Sequence, residues 1–425
     1  MFPPMATSAG DYLPRIADGE LEQALDASGA VVVDGVKACG KTSTAERQAA
    51  SVAHIDEGTP DYELAQISPR TLLNRQAPLL IDEWQNVDIL WSLVRRAVDE
   101  RRVPGQFILT GSATPDDSLQ RRRHSGAGRF ERLRMRPMSL FESQHSTGEV
   151  SLRALFEGEL IDGAANDLSL ESTIERLVVG GWPGLLGASA SRASRWLEAY
   201  ITTLTEVDMP ELGGFRDPTA LRVTVAALGQ RTAQMASIES IAASSAVDGR
   251  SPKWETVERR LAVLERLMVS EDLPAWIPSM RSKSRLTSSA KRHLVDPSLA
   301  IAALQGTPDS LLRNLDLVGF LFESMVLRDL RCYLAPLRAR MHHWRAGDKE
   351  VDIVAVLPDG RWAAFEVKLG GRAISVASAG LQRLGAHIDF DAVGPPVFRA
   401  VVTREGVAHQ DQSGTLILPV ATLGP

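Results

Sequence analysis

The residues from Gly35 to Thr42 have the types and spacing of a phosphate-binding loop. Two glycines, Gly35 and Gly40, enclose four residues and are followed by Lys41 and Thr42, which fits the pattern GxxxxGKS/T. In such a loop the backbone amides face the phosphates, the lysine reaches the β- and γ-phosphates, and the hydroxyl binds magnesium. The spacing therefore predicts a site for a nucleoside triphosphate with Mg²⁺.

Two acidic residues further along the chain have the form of a second catalytic element. Asp82 and Glu83 end the apolar run of residues 78–81. This is the form of a Walker B element, in which Asp82 holds magnesium through water and Glu83 orients or deprotonates the attacking water. Acidic pairs after apolar runs also occur as helix caps and turn residues. The combination with the phosphate-binding loop is what predicts hydrolysis rather than binding alone.

Small hydroxyl residues follow another apolar run, residues 107–109, which Gln106 precedes. Thr110 and Ser112 lie at its carboxyl end, where open α/β sheets bind ligands, and either hydroxyl could sense the γ-phosphate. The alternative is a hydroxyl-rich turn that only caps the strand. The predicted nucleotide-binding residues are Gly35, Val36, Lys37, Ala38, Cys39, Gly40, Lys41, Thr42, Ser43, Asp82, Thr110 and Ser112.

A basic cluster occupies residues 121–129 and contains a flexible Gly-Ala-Gly step. Arginine suits the charge that develops during phosphoryl transfer, so Arg129 is a candidate catalytic residue beside Lys41 and Glu83. The sequence leaves open whether Arg129 faces a phosphate of its own subunit or a subunit boundary. For the other arginines of the cluster, a solvated loop is the simpler interpretation.

These candidates need strands and helices that bring them together. The β-branched run of residues 30–33 predicts a strand before the loop, and residues 43–50 predict a helix after it. The apolar runs before Asp82 and Thr110 predict two more buried strands. Because each run ends in polar candidates, we expect a parallel sheet with the site at the carboxyl ends of its strands.

The composition limits the range of functions. The chain has 425 residues, which implies about two to four domains. Its 47 Lys and Arg residues against 53 Asp and Glu residues give a net charge of -6, so nucleic-acid binding would depend on local patches. Cys39 and Cys332 are too few for a disulfide framework or a cysteine zinc cluster. With no membrane-spanning run and no signal-peptide pattern, we expect a cytoplasmic protein.

The middle of the chain has helical patterns. Residues 151–212 are predicted to be helical, interrupted by a rigid turn at residues 180–184 that serves as a hinge or a packing joint. In residues 221–298, the order of short helix, turn, longer helix and small wing predicts a winged helix, with Arg259 and Arg260 as candidates for DNA contact. The longer helix also carries several glutamates, so a role in protein contacts stays open.

A set of charged residues lies in the last third of the chain. Residues 350–368 predict a β-hairpin with a Pro-Asp-Gly turn, which would bring Asp352, Glu366 and Lys368 together at one end of a small sheet. Charged groups are rarely buried in strands without partners, and a metal ion is a frequent partner. The other interpretation is an ion-paired set that only stabilises the sheet.

Several segments carry a family resemblance. YLPRIADGELEQAL, GVKACGKT, LLIDEWQ, ILTGSA, GAGRFERLRMRPMSLFE and GGWPGLL together resemble the prokaryotic AAA-type ATPases that fuse a P-loop module to a C-terminal domain of unknown function. The resemblance covers nearly the whole chain. It implies ATP binding at the two loop glycines, Lys41 and Thr42, with Asp82 and Glu83 as the Walker B pair. It also points to a winged helix in the middle of the chain.

The C-terminal hairpin resembles the PD-(D/E)xK fold of restriction-type nucleases. The resemblance implies that Asp352 and Glu366 bind Mg²⁺ or Mn²⁺ and that Lys368 positions the hydrolytic water. Glu323, in an upstream helix, falls where that fold often adds a further acid. These four residues form the candidate nuclease site.

We therefore predict a multi-domain α/β protein. Its parts are a P-loop NTPase parallel sheet core (1–145), a helical section (146–218), a winged helix (219–298) and a restriction-endonuclease-like α/β domain (299–425). One predicted function is a Mg²⁺-dependent ATPase whose nucleotide state controls a DNA-related activity. The alternative is an ATP-dependent switch or scaffold that binds a protein partner and has an inactive nuclease-like domain.

Overall fold

The computed structural model of the chain describes residues 12–111, 128–159, 163–278, 289–347 and 349–425. The chain forms two compact units. The first contains the chain up to Pro137 together with Leu264–Val269, and the second contains Met138–Val263 and Ser270–Pro425. None of the helices in the described ranges combines the length with the apolar character that a membrane crossing requires.

The first unit is built on one parallel sheet. Its strands are β1 (Ala30–Gly35), β2 (Ser51–His54), β3 (Leu79–Asp82), β4 (Phe107–Gly111) and β5 (Phe130–Met135), and its helices are α1 (Ile16–Ala27), α2 (Lys41–Gln48), α3 (Pro60–Ile67), α4 (Pro69–Leu72) and α5 (Ile89–Arg101). The strand order is β2-β3-β4-β1-β5, and every neighbouring pair is parallel. The predicted parallel sheet is confirmed.

Strand burial explains why these sequences form this sheet. All residues of β3 and β4 are buried, as expected for parallel strands that are covered on both faces. The apolar core on one face includes Trp84, Trp91 and Phe107, and the Trp91 ring stacks on Phe130 with centroids 4.2 Å apart. Because the strands are parallel, their carboxyl ends lie at one edge, where Asp82 is the register partner of Thr110.

The second unit contains most of the helices. They are α6 (Leu152–Phe156), α7 (Leu170–Val179), α8 (Ala190–Thr203), α9 (Met209–Gly213), α10 (Pro218–Gln230), α11 (Ile238–Ser244), α12 (Trp254–Arg266, as far as Val263), α13 (Pro297–Ala303), α14 (Pro308–Leu312), α15 (Leu315–Tyr333), α16 (Arg372–Gln382) and α17 (Phe390–Val393). A π-helical turn, Leu204–Asp208, joins α8 to α9. The predicted turn at residues 180–184 is a packing joint, because Trp182 is fully buried and its indole donates to Ser298 Oγ at 2.9 Å.

The strands of the second unit form a large mixed sheet and several short pairs. They are β6 (Val150–Ser151), β7 (Ala165–Asn166), β8 (Gln234–Met235), β9 (Lys291–Arg292), β10 (Arg340–Ala346), β11 (Lys349–Val356), β12 (Trp362–Lys368), β13 (Arg399–Thr403), β14 (Gly406–Val407), β15 (His409–Gln410), β16 (Leu416–Pro419) and β17 (Leu423–Gly424). The six-stranded sheet has the order β10-β11-β12-β13-β16-β15. β11 and β12 pair antiparallel, with Val356 opposite Trp362, so the predicted hairpin is present.

Residues 219–298 contain α10, β8, α11, α12 and β9 in chain order, and β8 pairs antiparallel with β9. Residues 279–288, within the segment predicted to contain the wing, lie outside the described part of the chain. Arg260 of α12 is buried and donates to Ala220 O at 3.2 Å and Thr224 Oγ1 at 2.8 Å. The prediction of DNA contact by Arg260 is wrong, because this face of α12 packs on α10. Arg259 is exposed, with its guanidinium 5.6 Å from the centre of the Phe215 ring.

Candidate functional site

The phosphate-binding loop joins β1 to α2 through two residues in left-handed backbone conformations. Ala38 has a φ of 64° and Gly40 a φ of 99°. A Cβ atom on Gly35 would lie 2.6 Å from the carbonyl oxygen of Met135, so the close approach of β5 requires glycine there. The loop therefore exposes backbone at the amino end of α2, which is the geometry that binds phosphate.

Polar side chains converge next to this loop. Lys41 is buried, and its Nζ donates to the carbonyl oxygens of Gly35 at 2.9 Å and Val36 at 3.1 Å. Thr42 Oγ1 donates to Asp82 Oδ1 at 3.0 Å, and Thr110 Oγ1 donates to the same oxygen at 2.5 Å. The structure thus brings together four predicted residues from the loop, β3 and β4.

The Thr42 and Asp82 oxygens suit a magnesium ion. Mg²⁺ prefers hard oxygen ligands and is usually bound by one or two protein oxygens together with substrate phosphates and water. The contact between the hydroxyl and the carboxylate places two such oxygens side by side at the start of α2. The residues present therefore fit the ion that a P-loop site implies.

Glu83 has an unusual backbone conformation. Its φ is 52° and its ψ is 42°, a left-handed conformation that is uncommon for residues other than glycine. The side-chain amide of Gln85 donates to Glu83 Oε2. A Cβ atom on Gly111 would lie 2.6 Å from Gln85 Oε1, so this glycine leaves room for the amide. Strained residues of this kind cluster at active sites, which supports a catalytic role for Glu83.

The side chains of the remaining predicted loop residues differ in their burial. Val36 and Cys39 are fully buried, while the side chains of Lys37, Ala38 and Ser43 are exposed. Val36 and Cys39 anchor the loop, so these two residues can contact phosphate only through their backbone. Ser112 lies outside the described residues.

Arg129 is far from the phosphate-binding loop of its own chain. It directly precedes β5, whose first residue, Phe130, is paired with Ala30 at the start of β1. The loop begins at Gly35, at the opposite end of β1 and five residues after Ala30, which is roughly 16 Å away at about 3.3 Å per residue. Arg129 Nε instead donates to Asp99 Oδ1 at 2.8 Å. Catalysis by Arg129 at its own phosphates, one of the two alternatives, is therefore excluded.

Two residues at this site were missed by the sequence analysis. Arg15 is buried and donates to the backbone carbonyl oxygens of Cys39 and Arg136, both at 2.8 Å. These two hydrogen bonds tie the loop to the segment that follows β5. His54 Nδ1 lies 3.5 Å from Asp82 Oδ2. His54 is the last residue of β2 and the register partner of Asp82. Its position could have been predicted from the sequence, because the carboxyl ends of parallel strands lie at one edge of the sheet. Nothing within the segment YLPRIADGELEQAL singles out Arg15, because its partners lie 24 and 121 residues further along the chain.

A second group of charged residues lies in the second unit. Lys368 Nζ contacts Asp352 Oδ2 at 3.0 Å and Glu366 Oε2 at 2.6 Å, as the hairpin predicted. Glu323 of α15 joins them through Lys291, whose Nζ lies 2.8 Å from Glu323 Oε1 and 3.2 Å from Asp352 Oδ1. A cavity of about 720 Å³ opens beside the group.

Lys291 and Glu350 are members of this group that the sequence analysis missed. Lys291 Nζ lies 2.7 Å from Glu350 Oε1. Glu350 is two residues from Asp352 on the same strand, so the alternation of side chains along a strand could have found it. Lys291 comes from β9, and nothing in its local sequence indicates that it lies in an acidic site.

Burial and charge shift the pKa values of these acids in opposite directions. Burial and the negative charge of Asp352 raise the pKa of Glu323 and that of Glu366 to about 8, although the neighbouring lysines oppose the shift. Burial also acts to raise the pKa of Asp352, but Lys291, Lys368 and the Val367 amide outweigh it and lower the pKa to about 2. The acids are therefore balanced internally by two ammonium groups.

The Glu366→Gln protein is expected to lose less stability than the wild type as the pH rises. The raised pKa means that folded Glu366 holds a proton between its ordinary pKa, near 4.5, and about 8, whereas unfolded Glu366 does not. The wild-type free energy of unfolding therefore falls across this window. Removing the carboxyl group should reduce the fall by about 2 kcal/mol, less than the full shift because Asp352 titrates with Glu366.

Urea unfolding curves of both proteins, measured at intervals between pH 5 and pH 8, check this expectation. Glu149→Gln, which removes an exposed carboxylate from the same unit, is the matched control and should keep the wild-type slope. Equal slopes in the wild type and Glu366→Gln would contradict the assignment of the raised pKa to Glu366.

The acidic group does not fit a divalent metal ion in the arrangement observed. Among the described residues, no three or more His, Cys, Asp or Glu side chains are placed to hold a metal ion. Both oxygens of Asp352 are bonded to ammonium groups, Oδ1 to Lys291 and Oδ2 to Lys368. The metal-binding role predicted for Asp352 and Glu366 is therefore at odds with this geometry.

The parallel sheet, the loop and the residues around Asp82 form an α/β domain with the arrangement of a P-loop nucleotide-binding site. Residues 27–144 match the family model of the AAA domain. Residues 170–310 match a domain of unknown function (DUF8612), and residues 318–423 match a second domain of unknown function (DUF4143).

Two mycobacterial proteins are similar to most of the chain. They are the uncharacterized protein Mb2031c of Mycobacterium bovis and the uncharacterized protein Rv2008c of Mycobacterium tuberculosis. Each is 27% identical over 359 residues, which cover 83% of this chain and 73% of the relative.

Among solved structures, the Walker-type ATPase PABY2304 of Pyrococcus abyssi has a TM-score of 0.42 at 15% identity, covering 70% of this chain and 97% of that chain. The RuvB Holliday junction branch migration motor of Thermotoga maritima has a TM-score of 0.28 at 18% identity, covering 63% of this chain and 92% of that chain. Both overall similarities are weak.

Proposed function

We propose that the first unit hydrolyses ATP in a Mg²⁺-dependent reaction. The observation that carries the proposal is the convergence of Lys41, Thr42, Asp82 and Thr110 at one edge of the parallel sheet, with Glu83 directly after Asp82. The match of this region to the AAA domain supports ATP as the nucleotide.

Each residue has a proposed role in this reaction. Thr42 and Asp82 hold Mg²⁺, which supplies positive charge to the phosphate oxygens when bound. The ammonium of Lys41 leaves the carbonyl oxygens of Gly35 and Val36 and turns to the β- and γ-phosphates. Glu83 accepts a proton from the attacking water, and Thr110 positions Asp82 through their hydrogen bond.

The role proposed for Arg129 is contact with the phosphates bound by a neighbouring subunit. Its distance from the loop of its own chain leaves a neighbour's phosphates as the remaining target. Arginine can stabilise the transition state when a second chain supplies it. The ion pair with Asp99 would then have to open.

One proposed use of ATP hydrolysis is control of a DNA-related activity. The order of α10, β8, α11, α12 and β9 supports a winged helix in residues 219–298. Arg259 of α12 remains a candidate for phosphate contact, since it is exposed. Salt-sensitive DNA affinity that differs between ATP and ADP is what this use requires.

The other proposed use is a switch that binds a protein partner. The specific observation in its favour is the pairing of the acidic group with Lys291 and Lys368, which engages the carboxylates that a nuclease would use for metal. The buried Arg260 also reduces the positive surface that α12 could offer to DNA.

ATP turnover with Mg²⁺, measured with and without double-stranded and single-stranded DNA, tests the proposal and separates its two uses. We expect Glu83→Gln to bind ATP but to turn it over at least about 100-fold more slowly, because the water loses its base. Stimulation by DNA would support the first use. Turnover that is indifferent to DNA at every salt concentration would support the second, and Glu83→Gln with full turnover would refute the assigned base.

A further inference from the structure

The ammonium of Lys291 is surrounded by carboxylate oxygens. Its side chain is 2% exposed, and its Nζ lies 2.8 Å from Glu323, 2.7 Å from Glu350 and 3.2 Å from Asp352. A lysine ammonium has three N–H donors and no acceptor. Lys291 donates hydrogen bonds to Glu323 and Asp352, and Glu350 completes the surrounding shell of carboxyl groups as an ion pair.

The same oxygens could not hold a divalent ion at the same time. Protein oxygens lie about 2.0–2.6 Å from Mg²⁺ or Ca²⁺, so an ion bound by these three carboxylates would overlap the ammonium nitrogen. Asp352 has no spare oxygen either, because Oδ2 accepts from Lys368 Nζ at 3.0 Å and from the Val367 amide at 2.9 Å. Lysine and metal are alternative occupants of one position.

The lysine and the carboxylates come from different parts of the chain. Lys291 lies in residues 170–310, which match one domain of unknown function, and the acids lie in residues 318–423, which match another. The backbone of Lys291 is fixed by two hydrogen bonds with Leu273, N to O and O to N, each 2.9 Å long. Pairing of Lys291 with Met235 of β8 fixes the strand further. The middle part of the chain therefore holds the ammonium in the acidic site of the last part.

We propose that the Lys291 ammonium is the resident cation of the acidic site and occupies the position that a divalent metal ion would take. The wild-type protein accordingly binds no divalent ion there. Removal of the ammonium, by substitution or by withdrawal of β9, allows the oxygens of Glu323, Glu350 and Asp352 to draw together around a divalent cation. This proposal is independent of the proposed ATPase, since it concerns the second unit and is tested without nucleotide.

Mn²⁺ binding to the full chain, followed by the loss of the free-ion electron paramagnetic resonance signal, tests the proposal. The proteins compared are the wild type, Lys291→Met, and each of these combined with Asp352→Asn. We expect Lys291→Met to bind one additional Mn²⁺ per chain that the wild type does not bind, and to lose it when Asp352→Asn is added. Mn²⁺ binding at the phosphate-binding loop is the same in all four proteins, so it does not affect the comparison.

Lys349→Met is the matched control, because Lys349 is exposed and lines the same cavity. It removes one positive charge near the acids and is expected to leave Mn²⁺ binding as in the wild type. A folded Lys291→Met protein that binds no more Mn²⁺ than the wild type would overturn the proposal. So would wild-type Mn²⁺ binding that Asp352→Asn abolishes, a result that needs no Lys291 variant and holds even if Lys291→Met does not fold.

Discussion

Replacing Lys41 with alanine is expected to lower Mg²⁺-dependent ATP turnover by at least about 100-fold. Lys41 is the buried cation of the phosphate-binding loop, and its Nζ lies within 3.1 Å of the carbonyl oxygens of Gly35 and Val36. Alanine removes the charge that would neutralise the β- and γ-phosphates in the transition state. Phosphate release from ATP, measured at saturating Mg²⁺, gives the comparison.

A second variant, which also loses one positive charge, controls for the general effect of charge removal on turnover. Arg70→Ala removes an exposed positive side chain from α4 in the same unit and should keep wild-type turnover. Circular dichroism must show that Lys41→Ala is folded, because the substitution also removes two hydrogen bonds to the loop. A folded Lys41→Ala protein with full turnover would show that hydrolysis does not take place at this loop.

Replacing Arg328 with methionine is expected to destabilise the second unit by about 3–5 kcal/mol. Arg328 of α15 is 3% exposed and donates to Asp296 Oδ2 at 2.7 Å and, through two nitrogens, to Asp329 Oδ1 at 2.9 and 2.7 Å. Both aspartates are at most 1% exposed, so methionine would leave two buried carboxylates without their counter-charge.

The destabilisation caused by Arg328→Met should extend to the packing joint near Trp182. Asp296 also accepts from the Gly181 amide at 3.0 Å, and Asp329 accepts from the Leu140 amide at 3.2 Å. Urea unfolding followed by tryptophan fluorescence measures the change in the free energy of unfolding. Arg313→Met, at an exposed site after α14, is the matched control and should change stability by less than about 0.5 kcal/mol.

Adding Asp296→Asn and Asp329→Asn to the Arg328→Met protein should restore part of the stability. Neutral amides of the same shape do not carry the cost of an uncompensated buried charge. A loss of less than about 1 kcal/mol in Arg328→Met alone would mean that water or other groups solvate these carboxylates, and that the ion-pair cluster does not hold the unit together.

The two candidate sites differ in how far the sequence could predict them. In the first unit, the loop from Gly35 to Thr42 is one continuous segment, and Asp82 and Thr110 each end an apolar strand. Parallel pairing then places these strand ends at one edge whatever the details of packing. In the second unit, the hairpin predicted the contacts among Asp352, Glu366 and Lys368, because its turn and strand alternation are local.

Two other features could not be read from the sequence. The position of Arg129 depends on the end of β5 at which it lies, and the pairing of β5 with β1 puts it at the edge away from the loop. The orientation of Arg260 depends on which face of α12 packs on α10. Both are set by contacts between segments, which short patterns do not record.

The sequence by itself determined the phosphate-binding loop, the Asp82-Glu83 pair and the C-terminal hairpin, because each depends on backbone preferences and spacings within one short segment. Only the tertiary structure decided what surrounds the acids of that hairpin. Lys291 reaches Asp352 across 61 residues, and Glu323 reaches Lys291 across 32. The distance between such groups, and with it their charge balance and cation preference, is set by packing between distant segments.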